Sequence, residues 1–150
     1  MSITVGPKGV LYVTTTTETE HRGGTLFSLT PPRAAGEPWA EEILFDFHYD
    51  TGHKAPDGKM PNGVVVDEKT GKIFGTTFSG GSGRSGTIFS LSPPASSGGK
   101  WTFKRIHQFG PMGGENPSGT LLKANGVMYG VTEGGGIDAD EDGTVFSIVP

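Results

Sequence analysis

Hydrophobic and polar positions alternate with period two in short runs, and glycine, proline or asparagine punctuates the runs. In Thr87-Ile88-Phe89-Ser90-Leu91, residues 87, 89 and 91 point to one side and residues 88 and 90 to the other. The run follows Ile73-Phe74-Gly75-Thr76-Thr77 across a Gly/Ser-rich loop, which reads as a strand, a loop and a returning strand. The pattern occurs three times. The first copy has Leu11-Tyr12-Val13-Thr14-Thr15 with Gly24-Thr25-Leu26-Phe27, and the third has Met128-Tyr129-Gly130-Val131-Thr132 with Gly143-Thr144-Val145-Phe146. No segment carries a helical period, which excludes an α/β reading.

Each copy predicts four strands. Strand A is Val64-Val65-Val66, matched by Ile3-Thr4-Val5 and by Thr120-Leu121-Leu122. A tight turn leads to strand B at Ile73–Thr77, and strand C is Thr87–Leu91. Pro93-Pro94, like Pro31-Pro32, ends strand C, because proline cannot donate to the ladder. Strand D runs from Trp101 to Phe109 and from Trp39 to Phe47. Gly75 and Gly130 fall inside strands, where glycine marks a close approach or a bulge. Phe27, Phe89 and Phe146 hold one repeat position and are expected to pack between neighbouring sheets. Trp39 and Trp101 also share a position and read as packing residues rather than sugar platforms. A repeated four-stranded antiparallel unit is the blade of a β-propeller, so the expected fold is all-β. The repeats are expected at 2–61, 62–117 and 118–150 within a single domain, the third without its last strand.

Composition narrows the function classes. Glycine is very abundant, at 26 of 150 residues, as a turn-dense fold requires. The net charge is −4 with no basic run, which argues against nucleic acid as a partner. The chain has no cysteine, so disulfides, thiolate metal sites and cysteine nucleophiles are excluded. No signal peptide and no apolar stretch long enough to span a bilayer is expected.

Ile73-Phe74-Gly75-Thr76-Thr77, Gly80-Gly81, Gly143-Thr144-Val145-Phe146 and Asn116-Pro117-Ser118-Gly119 together resemble the bacterial tandem-repeat family called GloVer repeats. The resemblance covers nearly the whole chain. It implies a β-propeller-like scaffold that commonly forms part of larger exported or cell-surface bacterial proteins, with no established chemistry. The first copy departs from the pattern, with Thr17-Glu18-Thr19-Glu20-His21-Arg22 where the family has a Gly-Gly loop.

Closed propellers typically hold roughly 4–8 blades, more than this chain supplies. Two completions are expected: a longer propeller of which this is a fragment, or self-assembly, most simply a homodimer giving a six-bladed ring. The B–C loops and the D-to-A linkers should share one face of the ring, and loops on a rigid scaffold are where function usually sits. His21, Arg22, Tyr49, Arg84 and Glu115 are the ligand-binding candidates there. His48, Asp50, His53 and Asp57 cluster in one linker, with the chemistry of a general acid and base or of a transition-metal site. Asp138-Ala139-Asp140-Glu141-Asp142-Gly143 matches the first half of a calcium loop, giving Asp138, Asp140 and Asp142 as candidate ligands. The closing glutamate is missing, since the twelfth position is Val149; no cofactor is expected unless this loop takes calcium. Gly80-Gly81-Ser82-Gly83 lacks the Lys-Ser/Thr and helix of a phosphate loop.

The leading expectation is a binding module that presents loops to a protein or glycan. An alternative is a propeller hydrolase or lyase acting on a sugar or polar small molecule through the linker His and Asp residues. A third is a structural fragment with no site of its own.

Overall fold

A computed structural model of the chain describes residues 1–16, 22–49, 54–96, 98–137 and 142–149. It is all-β, with three antiparallel sheets that follow one another in chain order. The first contains β1 (Ser2–Val5), β2 (Leu11–Thr15), β3 (Arg22–Thr30) and β4 (Ala40–His48). The second contains β5 (Lys59–Val66), β6 (Ile73–Ser79), β7 (Thr87–Ser92) and β8 (Thr102–Gln108). The third contains β9 (Glu115–Ala124), β10 (Val127–Gly134) and β11 (Val145–Ile148). Each sheet is a simple meander of sequential neighbours, as hairpin connections dictate. The only helical segments among the described residues are two short 3-10 turns, Pro7–Gly9 and Pro111–Gly113.

The strands expected from alternation are all present. β5 and β9 begin earlier than the repeat boundaries at 62 and 118, because Lys59 pairs with Ser79 and Glu115 with Gly134 beyond a bulge in each strand. One register differs from expectation. Tyr12 pairs with Thr4 and Phe74 with Val65, whereas Tyr129 pairs with Leu122, so Leu122 is the counterpart of Val65. Aligning Leu121 at that position is therefore wrong by one residue. The cause is a shorter turn: Ala124 pairs directly with Val127 around Asn125-Gly126, while Val66 and Ile73 enclose a longer loop. The shift matters, because one residue of slip moves a side chain to the other face.

The sheets pack face to face on two cores. Between the first and second lie Leu26, Phe47, Val64, Ile73, Phe89 and Leu91, with Tyr12, Phe45, Trp101 and Phe103 half-buried around them. The Phe45 and Phe103 rings stack at 4.2 Å, and Phe47 meets Phe89 edge-on at 5.2 Å. Burial between the sheets raises the Tyr12 hydroxyl pKa, and the Glu42 carboxylate adds to the shift. Between the second and third sheets lie Phe74, Leu121 and Met128, with Val65, Phe146 and Ile148. β7 is buried on both faces, as the middle strand of a sheet covered on both sides must be.

Gly75 pairs with Phe89, and Gly130 with Phe146. A Cβ on Gly75 would stand 2.7 Å from Phe89 Cζ, so the glycine makes room for the ring. In the first sheet Val13 faces Phe27, and both lie on the side turned away from the second sheet. Phe89 and Phe146 therefore pack between sheets of this chain and Phe27 does not.

The first strands of the three sheets run beside one another. The Thr4 hydroxyl donates to the Val64 carbonyl at 2.8 Å, and Gly63 lies between Ser2 and Thr120. On the far side, Trp101 reaches back from the second sheet and donates its indole N–H to Glu42 at 3.1 Å.

Candidate functional site

The hairpin loop of a unit and the linker that enters it lie at the same end of the sheets, joined through the backbone. Gly81 N–H donates to Ala55 C=O at 2.8 Å, and Gly136 N–H donates to Pro111 C=O at 2.8 Å. At the other end Gly9 sits beside Pro31 and Gly71 beside Pro93, so those turns share the opposite face. In the second and third units, therefore, the loop and its linker share one end of the sheets.

Glycine and threonine build the loop mouths. Thr87 N–H donates to Thr77 Oγ1 at 3.1 Å, Thr144 N–H to Thr132 Oγ1 at 2.8 Å, and Thr25 N–H to Thr15 Oγ1 at 3.2 Å. Gly24, Gly86 and Gly143 precede the three donors with φ of 115°, 99° and 89°, values that favour glycine. The repeated Thr-Thr and Gly-Thr pairs are therefore one device, a hydroxyl that closes the base of each loop.

At the second loop this frame bounds a cavity of about 690 Å³. Tyr49, Lys54, Lys59, Arg84, Ser79 and Ser82 line it, together with Gly80-Gly81 and Ala55-Pro56. Lys59 Nζ stands 5.7 Å over the Tyr49 ring, a cation–π arrangement. Arg105 donates to the Pro56 carbonyl and fixes one wall. Ser82 N–H donates to Gln108 Oε1 at 2.6 Å, and Arg84 N–H to Gly81 C=O at 3.2 Å, which fold the loop tightly. Arg84 has φ of 61°, in the left-handed region uncommon for a residue with a Cβ. Among the described residues lining the cavity, the charged ones are all cationic.

Of the residues expected at a site, Tyr49 and Arg84 are brought to this cavity. Glu115 instead accepts the Ser85 hydroxyl at 2.7 Å and ties the second sheet to the third. His48 is exposed on β4, with Nδ1 at 3.0 Å from the Asp46 carbonyl. Asp57 lends its carbonyl to the Thr87 hydroxyl at 3.1 Å. No hydrogen bond or ion pair joins His48 to Asp57 among the described residues. Asp142 is exposed and forms an isolated bridge with Gly135. His21, Asp50, His53, Asp138 and Asp140 lie outside the described residues, and Arg22 is described by its backbone alone. Among the described residues, no three His, Asp or Glu side chains gather as metal ligands.

Lys59 and the two serines are absent from the set that sequence reasoning singles out. Lys59 stands where an approach to a strand was expected, and only its pairing with Ser79 brings it to the loop end. The available signal was the shared face of the loop and linker.

Three consecutive antiparallel sheets with the same threonine-closed loop define an all-β tandem-repeat protein. The chain belongs to the Gloeobacter/Verrucomicrobia repeat family, whose model matches residues 1–150. A comparison with curated proteins gave no match. Among the described residues no helix is long and apolar enough to cross a membrane.

Proposed function

We propose that the chain is a binding module in which the three sheets stand as successive blades of a β-propeller, completed by further sheets, and that the cavity at the second loop takes an acidic glycan. The adjacency of β1, β5 and β9 supports the blade arrangement, since the first strand of each blade lines the axis. One observation carries the ligand class: the Arg84 guanidinium and the Ser79 and Ser82 hydroxyls border one cavity beside the Tyr49 ring. A guanidinium suits a carboxylate, an aromatic ring suits a sugar face, and hydroxyls suit its polar rim.

The test is calorimetric titration of the chain with a uronic-acid oligosaccharide and with a neutral one of equal length. The acidic ligand should bind, and Arg84→Ala should weaken it at least about tenfold, a loss of one charge-assisted contact. Equal affinity for the neutral oligosaccharide, or no effect of Arg84→Ala in a folded variant, would refute the reading. Binding only of an acidic peptide would replace the glycan with a protein partner.

A further inference from the structure

The cavity of the second unit has a loop wall made of Ser79 to Ser82 and Arg84. The residues just outside the two ends of that wall, Phe78 and Ser85, are both held by one dipeptide of the next unit, Glu115-Asn116 at the start of β9. Asn116 Nδ2 donates to the Phe78 carbonyl at 3.1 Å, and Asn116 N–H donates to the Ser85 carbonyl at 2.8 Å. Glu115 Oε1 accepts the Ser85 hydroxyl at 2.7 Å. Ser85 is only 7% exposed, so water competes little for these bonds. The same hydroxyl has a second acceptor inside the loop, the Gly83 carbonyl at 3.1 Å, and its one proton is shared between the two. Arg84, next to Ser85, holds φ of 61°, a conformation that persists only where the surroundings impose it.

Backbone conformation alone does not account for the asparagine. Asn116 has φ of 56°, a region that asparagine tolerates. Its counterpart Met60, which precedes Pro61 as Asn116 precedes Pro117, holds φ of 57° with an apolar side chain. What asparagine adds is the amide that reaches Phe78. Glu115 in turn stands where the second unit has Lys59, since Glu115 pairs with Gly134 as Lys59 pairs with Ser79. One repeat position thus lines the cavity from the second unit, as Lys59, and braces its loop from the third, as Glu115. We infer that Glu115 and Asn116 are positioning residues for the cavity. They fix both ends of the loop that carries Ser82 and Arg84, so the site of one unit is completed by the next. What the loop holds rests on the ligand reading proposed above; the bracing itself does not. A loop whose ends are fixed loses less freedom on binding, which is how positioning raises affinity.

The test joins amide hydrogen exchange of the loop to calorimetric titration with a uronic-acid oligosaccharide. Glu115→Ala and Asn116→Asp each remove one brace; the second keeps the side chain's size and takes away its donor. In either variant the Ser82 and Arg84 N–H groups should exchange about tenfold faster, the loss of one hydrogen bond, while the amides of β7 keep the parent rate. The oligosaccharide should bind about tenfold more weakly. Glu115→Gln retains an acceptor at the same place and should restore both readouts. Asn116→Met, the residue already held at the counterpart position, serves where Asn116→Asp fails to fold. Loop exchange unchanged in both variants overturns the positioning role. So does faster exchange spread evenly over β7 and β9, or Glu115→Gln behaving as Glu115→Ala does. A parent chain that does not bind the oligosaccharide refutes the ligand reading alone, and the exchange rates then still decide whether the two residues position the loop.

Discussion

Thr77 and Thr87 face each other across β6 and β7 with their hydroxyl oxygens 2.9 Å apart, both fully buried. The pair recurs in the third sheet, where Thr132 and Thr144 hydroxyls lie 2.9 Å apart. Thr77 also accepts the Thr87 N–H, and its hydroxyl lies 3.1 Å from the Ser79 carbonyl. One side chain thus links the last rungs of a hairpin to the loop that borders the cavity. Thr77→Val keeps the shape and removes these bonds, leaving a buried N–H without its acceptor. The expected loss is about 1–3 kcal/mol, the penalty for an unsatisfied buried group. Urea denaturation checks it, and a loss within error of zero would show that the staple contributes nothing to the fold.

Gly75 and Phe89 form a second coupled pair. A methyl group on Gly75 meets the Phe89 ring edge and a Val64 methyl, and the sheets on either side leave the ring nowhere to go. Gly75→Ala should cost about 1–3 kcal/mol through overpacking. Adding Phe89→Leu should recover part of that loss, so a double-mutant cycle should return a coupling of at least about 0.5 kcal/mol. Strict additivity would place the strain elsewhere. In the first sheet Val13 takes the place of the glycine opposite Phe27, and it is buried there.

These pairs mark how far the sequence could be read. Period-two alternation located the strands of Thr87–Leu91 and its counterparts, and the glycines at 75 and 130 signalled close approach, because both properties belong to single strands. Thr77 and Thr87 looked like ordinary strand threonines, since their contact depends on register across a hairpin. The slip at Leu121 and Leu122 has the same origin: two adjacent leucines carry no alternation, and only the length of the turn decides between them. The cavity needed more still. Tyr49 and Arg84 could be suspected from loop position, but Lys59 joins them only through the pairing of β5 with the end of β6.

Ser90 offers a prediction of the opposite sign. Its Oγ is buried between the second and third sheets with no hydrogen-bond partner among the described residues. A buried hydroxyl left without a partner carries a desolvation penalty. Ser90→Ala should therefore raise stability, by about 1 kcal/mol. A measured loss would mean that the hydroxyl is satisfied in solution, for instance by a buried water.

Asp67 and Lys123 give a pH signature for the junction between the second and third sheets. Lys123 Nζ lies 2.6 Å from Asp67 Oδ2, and the carboxylate also accepts the Lys69 and Thr70 N–H groups at 3.0 and 3.1 Å. The Lys123 hydrogen bond is the largest influence, the turn N–H groups add to it, and the carboxyl is held at about 2 against an ordinary value of 3.8. A depressed folded-state pKa favours the folded form wherever the carboxylate is charged, so the contribution is complete above 3.8 and is lost as pH falls through about 2. The pair is exposed, and salt should weaken it. Asp67→Asn should reduce stability at about pH 6, and the gap to the parent chain should close between pH 3.8 and about 2. Lys123→Gln should remove most of the same dependence by raising the Asp67 pKa toward 3.8. A gap between parent and Asp67→Asn that stays constant through that window would show that the carboxylate titrates alike in the folded and unfolded chains.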